Sequence, residues 1–175
     1  MIVKPTLYFK SLEMEKDVNF LRCLITHDIE LGDFTLHSGK KSEYRVNIAT
    51  GIVDSWAGDI YQEILNKIVG ENYIGGIEFC GALLVIRRMK NFIIRKDGTI
   101  IGKPKGNVIV FDDVSTTGNS LLSACSVVEK IGCKVTFCLS IVDRDEGAKE
   151  LLAEHGYELT KKGFKRLKSI LEYSP

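Results

Sequence analysis

Hydrophobic positions along this chain switch between a helical period and short continuous runs. Over residues 13–27, Val18, Leu21, Leu24 and Ile25 recur at helical spacing, which predicts a helix. Residues 31–47 form two extended runs around Ser38-Gly39 and read as a β-hairpin that precedes any parallel-sheet unit. Ser55 is placed to cap a helix reaching Val69, with Ile60, Ile64, Leu65 and Ile68 on one face. Strands are then expected over 73–79, 91–95, 108–111 and 134–142, and helices over 82–89, 120–131 and 149–155. Gly132 and Gly156 follow two of those helices as C-terminal stops. A short strand over 157–159 and a basic helix over 161–173 close the chain, and 1–12 reads as an irregular or weakly extended arm. Alternation of this kind predicts an α/β fold, a mostly parallel sheet flanked by helices, with the hairpin as an appendage.

The most informative stretch is Val108-Ile109-Val110-Phe111-Asp112-Asp113-Val114-Ser115-Thr116-Thr117-Gly118-Asn119-Ser120. Continuous apolar residues suit a strand covered on both faces, and the two acids fall at its C-terminal end, where open α/β sheets bind ligands. Thr116, Thr117, Gly118, Asn119 and Ser120 offer backbone N–H groups and hydroxyls at a helix N-terminus, which is a phosphate cradle. Asp112 and Asp113 would repel that phosphate, so they are suited to hydroxyls or a hydrated divalent cation on the same ligand. A phosphate at one end and a diol with a metal at the other describe a phosphorylated sugar, and the spacing fits 5-phosphoribosyl 1-diphosphate (PRPP). No Gly-x-x-x-x-Gly-Lys-Ser/Thr loop and no Gly-x-Gly-x-x-Gly fingerprint occurs, which excludes the two commonest nucleotide-binding loops.

Composition narrows the setting. At 175 residues the chain is read as one domain, 1–175, with enough length to bury a sizeable core. A net charge of +1 gives no electrostatic reason to expect nucleic acid as a partner. Five cysteines, Cys23, Cys80, Cys125, Cys133 and Cys138, include no Cys-x-x-Cys pair and read as reduced thiols of a cytoplasmic protein. No apolar run is long enough to span a bilayer, so no membrane partner is expected. His27 and His155 read as surface helix residues.

The aliphatic strand, Asp112-Asp113 and Thr116-Thr117-Gly118 together resemble the PRPP-binding motif of the type I phosphoribosyltransferases; Ser115 departs from it, since most members carry an aliphatic residue there. A second segment, Phe34-Thr35-Leu36-x-Ser38-Gly39-x-x-Ser42-x-Tyr44, is similar to the hood of orotate phosphoribosyltransferases, which closes over the pyrimidine. The resemblance implies a hood mainly within 1–50, and an enzyme that joins orotate to PRPP with Mg²⁺, giving orotidine 5-monophosphate and diphosphate.

Site residues follow by position. Phe79, Cys80 and Gly81 fall in the pyrophosphate loop, and Arg95-Lys96 match the pair that opens the family's mobile basic loop. His37, Ser38, Lys40 and Thr116 are placed for the base, and Arg144 where the family sets an Arg against the orotate carboxylate. Asp112, Asp113 and Lys96 are the expected catalytic set, Asp112 and Asp113 also the expected contacts to PRPP-bound Mg²⁺, and a homodimer the expected assembly. Three features depart from the family: His37 and Cys80 stand where Lys is usual, and the basic loop over 96–106 is short, with Lys103 the one candidate replacement. Two other outcomes stay open on the residues: transfer to another nucleobase, or a non-catalytic nucleotide-binding regulator of the same fold.

Overall fold

The computed structural model describes residues 2–5, 28–36, 39–53, 55–156 and 167–174. The predicted helix over 13–27, with His27 and Cys23, and the predicted strand over 157–159 lie outside them.

A seven-stranded sheet has the order β1-β9-β8-β7-β4-β5-β6. Its strands are β1 (Ile2–Pro5), β4 (Tyr73–Ile77), β5 (Asn91–Ile94), β6 (Ile100–Ile101), β7 (Asn107–Ser115), β8 (Lys134–Asp143) and β9 (Leu167–Ser174). β5, β4, β7, β8 and β9 run parallel, while β6 and β1 are antiparallel edge strands. The hairpin is a separate pair, β2 (Ile29–Thr35) with β3 (Lys41–Val46). Helices are α1 (Ile48–Val53), α2 (Ser55–Val69), α3 (Cys80–Val85), α4 (Asn119–Lys130) and α5 (Ala148–Glu154).

The continuous apolar run of β7 is explained by its two covers. Ile109 and Phe111 join a core with Ile64 and Leu65 of α2 and Leu84 of α3. Val108 and Val110 face the opposite way, into a core with Leu121, Cys125 and Val128 of α4 and Leu152 of α5. Successive side chains of a strand point to opposite faces, so both sets must be apolar when helices cover both.

Three expectations change. The helix expected over 161–173 is replaced, across its later part, by β9, which pairs with β8 and β1. Pairing satisfies the backbone groups of β8's outer edge, and that long-range gain outweighs the local helical pattern. The 1–12 arm contains β1, held in register from Ile2 opposite Ser174 to Pro5 opposite Leu171. The polar loop over 96–106 contains the short β6, which folds back on β5 through Ile93–Ile101 and Ile94–Ile100 pairs.

Candidate active site

The C-terminal ends of β4, β7 and β8 converge on one cavity of about 610 Å³. Gly76 and Gly81 permit this convergence. A Cβ on Gly76 would lie 2.2 Å from the Gly81 carbonyl oxygen, and one on Gly81 would lie 3.0 Å from that of Phe111. With no side chains there, α3 begins directly against the ends of β4 and β7. The loop between β4 and α3 contains a cis peptide between Glu78 and Phe79. Cys80 and Asp113 then line the same cavity. Burial, followed by the Asp113 charge, pushes the Cys80 thiol up to about 12.

Asp112 and Asp113 both line the cavity. Asp112 accepts the backbone N–H of Asp113 at 3.0 Å. Burial and then the adjacent Asp113 charge hold the Asp112 carboxyl well above the usual carboxylate range, with Lys96 pulling the other way. Thr116, Asn119 and Ser120 line the same space. Gly118 takes the N-cap of α4 at φ +84°, and no side chain caps that helix. The first-turn N–H groups therefore remain for a ligand, where the helix dipole favours an anion.

At the cavity's basic side, Arg95 pairs with Glu78 at 3.7 Å and with Asp97 at 3.5 Å. Glu78 also accepts the Lys96 backbone N–H at 3.2 Å, tying the start of the 96–106 loop to the loop between β4 and α3. On the opposite side Arg144 follows β8. Its backbone N–H donates to the Ser115 carbonyl at 3.0 Å, and its side chain is almost wholly buried.

The cavity thus gathers Cys80, Arg95, Lys96, Asp112, Asp113, Thr116, Asn119, Ser120 and Arg144. Other expected residues are elsewhere. Ser115 turns its hydroxyl inward, to Ser140 Oγ at 3.1 Å and Asp143 Oδ1 at 3.2 Å, so its side chain is unavailable to PRPP. Thr117 accepts from Asn119 at 3.1 Å, and Lys40 pairs with Glu146 at 3.4 Å; neither lines the cavity, nor do Phe79, Gly81 and Gly118. His37 and Ser38 lie outside the described residues. Arg45 and Asn47, to which the sequence pattern assigns no role, also line the cavity, and so does Glu78 of the loop before α3. Glu30 binds Arg45 at 2.7 Å and Asn47 at 2.8 Å, an acid–base spacing across the hairpin that could have signalled them.

A parallel sheet with acids and an uncapped phosphate-type turn at one strand end, close-packed glycines where the next strand meets its helix, and a cationic loop beside them define a type I phosphoribosyltransferase. No family model matches the chain. Orotate phosphoribosyltransferase from Methanopyrus kandleri is 34% identical over 146 residues, spanning 75% of this chain and 80% of that protein. The same enzyme from Thermoplasma volcanium is 35% identical over 145 residues, 75% of this chain and 87% of that one. The crystal structure of Mycobacterium tuberculosis orotate phosphoribosyltransferase in complex with PRPP superposes with a TM-score of 0.71 at 26% identity, covering 89% and 96% of the two chains. The chain belongs to the orotate phosphoribosyltransferase family, and is a pentosyl-transferring enzyme of pyrimidine nucleotide synthesis.

Proposed function

We propose that this cavity carries out the transfer with PRPP and orotate as its own two substrates, through the residues just described. The observation that carries the reading is the meeting of the Asp112–Asp113 pair, the open N-terminus of α4, Lys96 and Arg144 around one space. The turn over 116–120 holds the 5-phosphate through backbone N–H groups, and Asp112 and Asp113 hold the ribose hydroxyls. Arg144 pairs with the carboxylate of the base, and the hairpin forms the hood. Fixing both partners converts the reaction to one between pre-aligned groups.

As diphosphate leaves C1, negative charge grows on its oxygens, and Arg95 and Lys96 face it. Lys96 begins a loop that includes Gly98, which also lines the cavity, so loop closure would exclude water from the cationic ribose. The donor set suits Mg²⁺ that arrives with PRPP. Two carboxylates stand together, while no group of three or more His, Cys, Asp or Glu among the described residues could hold a metal. Mg²⁺ retains several waters and is bound through one or two carboxylates plus substrate phosphates; once bound it neutralises the leaving group.

No helix among the described residues is long and apolar enough to cross a membrane. Action as a single domain in the cytoplasm, as a homodimer, is the corresponding biological setting. The test is diphosphate release from PRPP and Mg²⁺ with orotate, uracil, hypoxanthine and adenine in parallel. Orotate-dependent release, abolished in Asp113→Asn, is expected. Release with another base alone, or PRPP binding without release, would overturn the assignment.

A further inference from the structure

Arg144 is held more tightly than binding a carboxylate requires. Its guanidinium stacks on the Tyr44 ring, 4.0 Å from the ring centre. Its Nε–H points between the Tyr44 hydroxyl at 3.1 Å and Glu146 Oε1 at 3.0 Å, and its Nη2 donates to Ser42 Oγ at 2.9 Å. Ser42 is itself committed: its hydroxyl donates to the Tyr44 carbonyl at 2.6 Å, which leaves a lone pair for the arginine. Burial raises the Tyr44 phenol, so its oxygen stays neutral and accepts as a hydroxyl. A stacked plane with its Nε edge tied down has no freedom to rotate. What remains is Nη1 and one Nη2 hydrogen, the end-on fork that matches a carboxylate.

We propose that Ser42 and Tyr44 of β3, with Glu146 beyond β8, are positioning residues that aim this fork into the cavity, so that the hairpin sets selectivity for a carboxylated base. The inference rests on the assignment of Arg144 to that carboxylate. Its novelty lies in where selectivity resides. The parallel sheet supplies the arginine, and a two-stranded appendage, which shares no strand pairing with that sheet, dictates its direction. Lys40 at the hairpin's turn reaches the same Glu146 at 3.4 Å, a second tie between the appendage and the loop after β8.

The experiment compares Ser42→Ala, Ser42→Thr, Tyr44→Phe and Arg144→Ala, each with separate KM values for orotate and PRPP and a thermal unfolding midpoint. Tyr44→Phe keeps the ring in its core position and removes the hydroxyl that accepts from Arg144. The expected result is an orotate KM raised about tenfold in Ser42→Ala and Tyr44→Phe, the size of one hydrogen bond to a charged group. PRPP KM and the unfolding midpoint should stay near the parent values, and Ser42→Thr should recover most of the orotate affinity. Parallel losses in both KM values and in the midpoint would mark a merely structural contact and overturn the proposal. An unchanged orotate KM in these two variants, with a large rise in Arg144→Ala, would overturn the positioning role and leave the arginine's role standing. An unchanged orotate KM in Arg144→Ala would remove the arginine's role, and this inference with it.

Discussion

Cys80 and Asp113 line the same cavity, and the Asp113 charge adds to burial in keeping the Cys80 thiol protonated, so a position usually cationic in the family is neutral here. The thiolate is the reactive form, and each unit of pKa removes about a tenfold share of it. With the thiol pushed up to about 12, Cys80 should react with iodoacetamide at pH 7.5 at least about a hundredfold more slowly than free cysteine. The rate should climb steadily into alkaline pH and rise in Asp113→Asn, because the second cause of the shift is gone. Peptide mass spectrometry of Cys80 gives the rate; labelling as fast as free cysteine would contradict the upward shift.

Ser115 illustrates a departure from the family pattern that has been absorbed by its neighbours. Its hydroxyl is buried and bonds Ser140 and Asp143. Ser115→Val, which restores an aliphatic residue, should therefore destabilise the fold by about 1–3 kcal/mol, because Ser140 loses its partner in a dry interior. Urea unfolding measures this, and a neutral or stabilising effect would show that the network adds nothing.

Gly118 and Gly132 separate strain from space. Both have positive φ, +84° and +85°. A Cβ on Gly118 would lie 2.9 Å from the Ala148 Cα, whereas nothing lies within 4 Å of one on Gly132. Gly132→Ala should cost about 1 kcal/mol from the left-handed backbone alone. Gly118→Ala adds a clash with α5 and should cost about 2 kcal/mol or more. Equal losses in denaturant titration would refute the packing argument.

The Tyr61 hydroxyl on α2 is buried and has no hydrogen-bond partner among the described residues; burial first, then the charges of Asp28 and Asp113, push its pKa upward. Removing an unsatisfied buried hydroxyl relieves a desolvation cost, so Tyr61→Phe should be neutral or stabilising by up to about 1 kcal/mol. A loss above that size would mean the hydroxyl is bonded in solution.

Much of this could be read from the chain because local chemistry and global position agree in β7. An apolar run, paired acids and a glycine-containing turn need no distant information to be placed at a ligand-binding strand end. Arg144 was similarly placed by its strand end. What escaped depends on partners far away in sequence. β9 exists because β8 offers an edge, α1 is only six residues long, and the inward turn of Ser115 follows from Ser140 and Asp143 across the sheet. Nothing in a hairpin's own pattern says that its last residues, Arg45 and Asn47, border a cavity.

The pairing of Ile2 with Ser174 and of Pro5 with Leu171 bears on how the chain is made. β1 is synthesised before its partner β9, which follows some 170 residues later, on the order of ten to thirty seconds at ordinary synthesis rates. Until β9 is made, β1 has no strand to register against, and β8, once made, presents an open edge. The nascent chain can assemble β4, β5 and β7 around their helices early, but the edge of the sheet beyond β8 forms only when β9 and β1 meet.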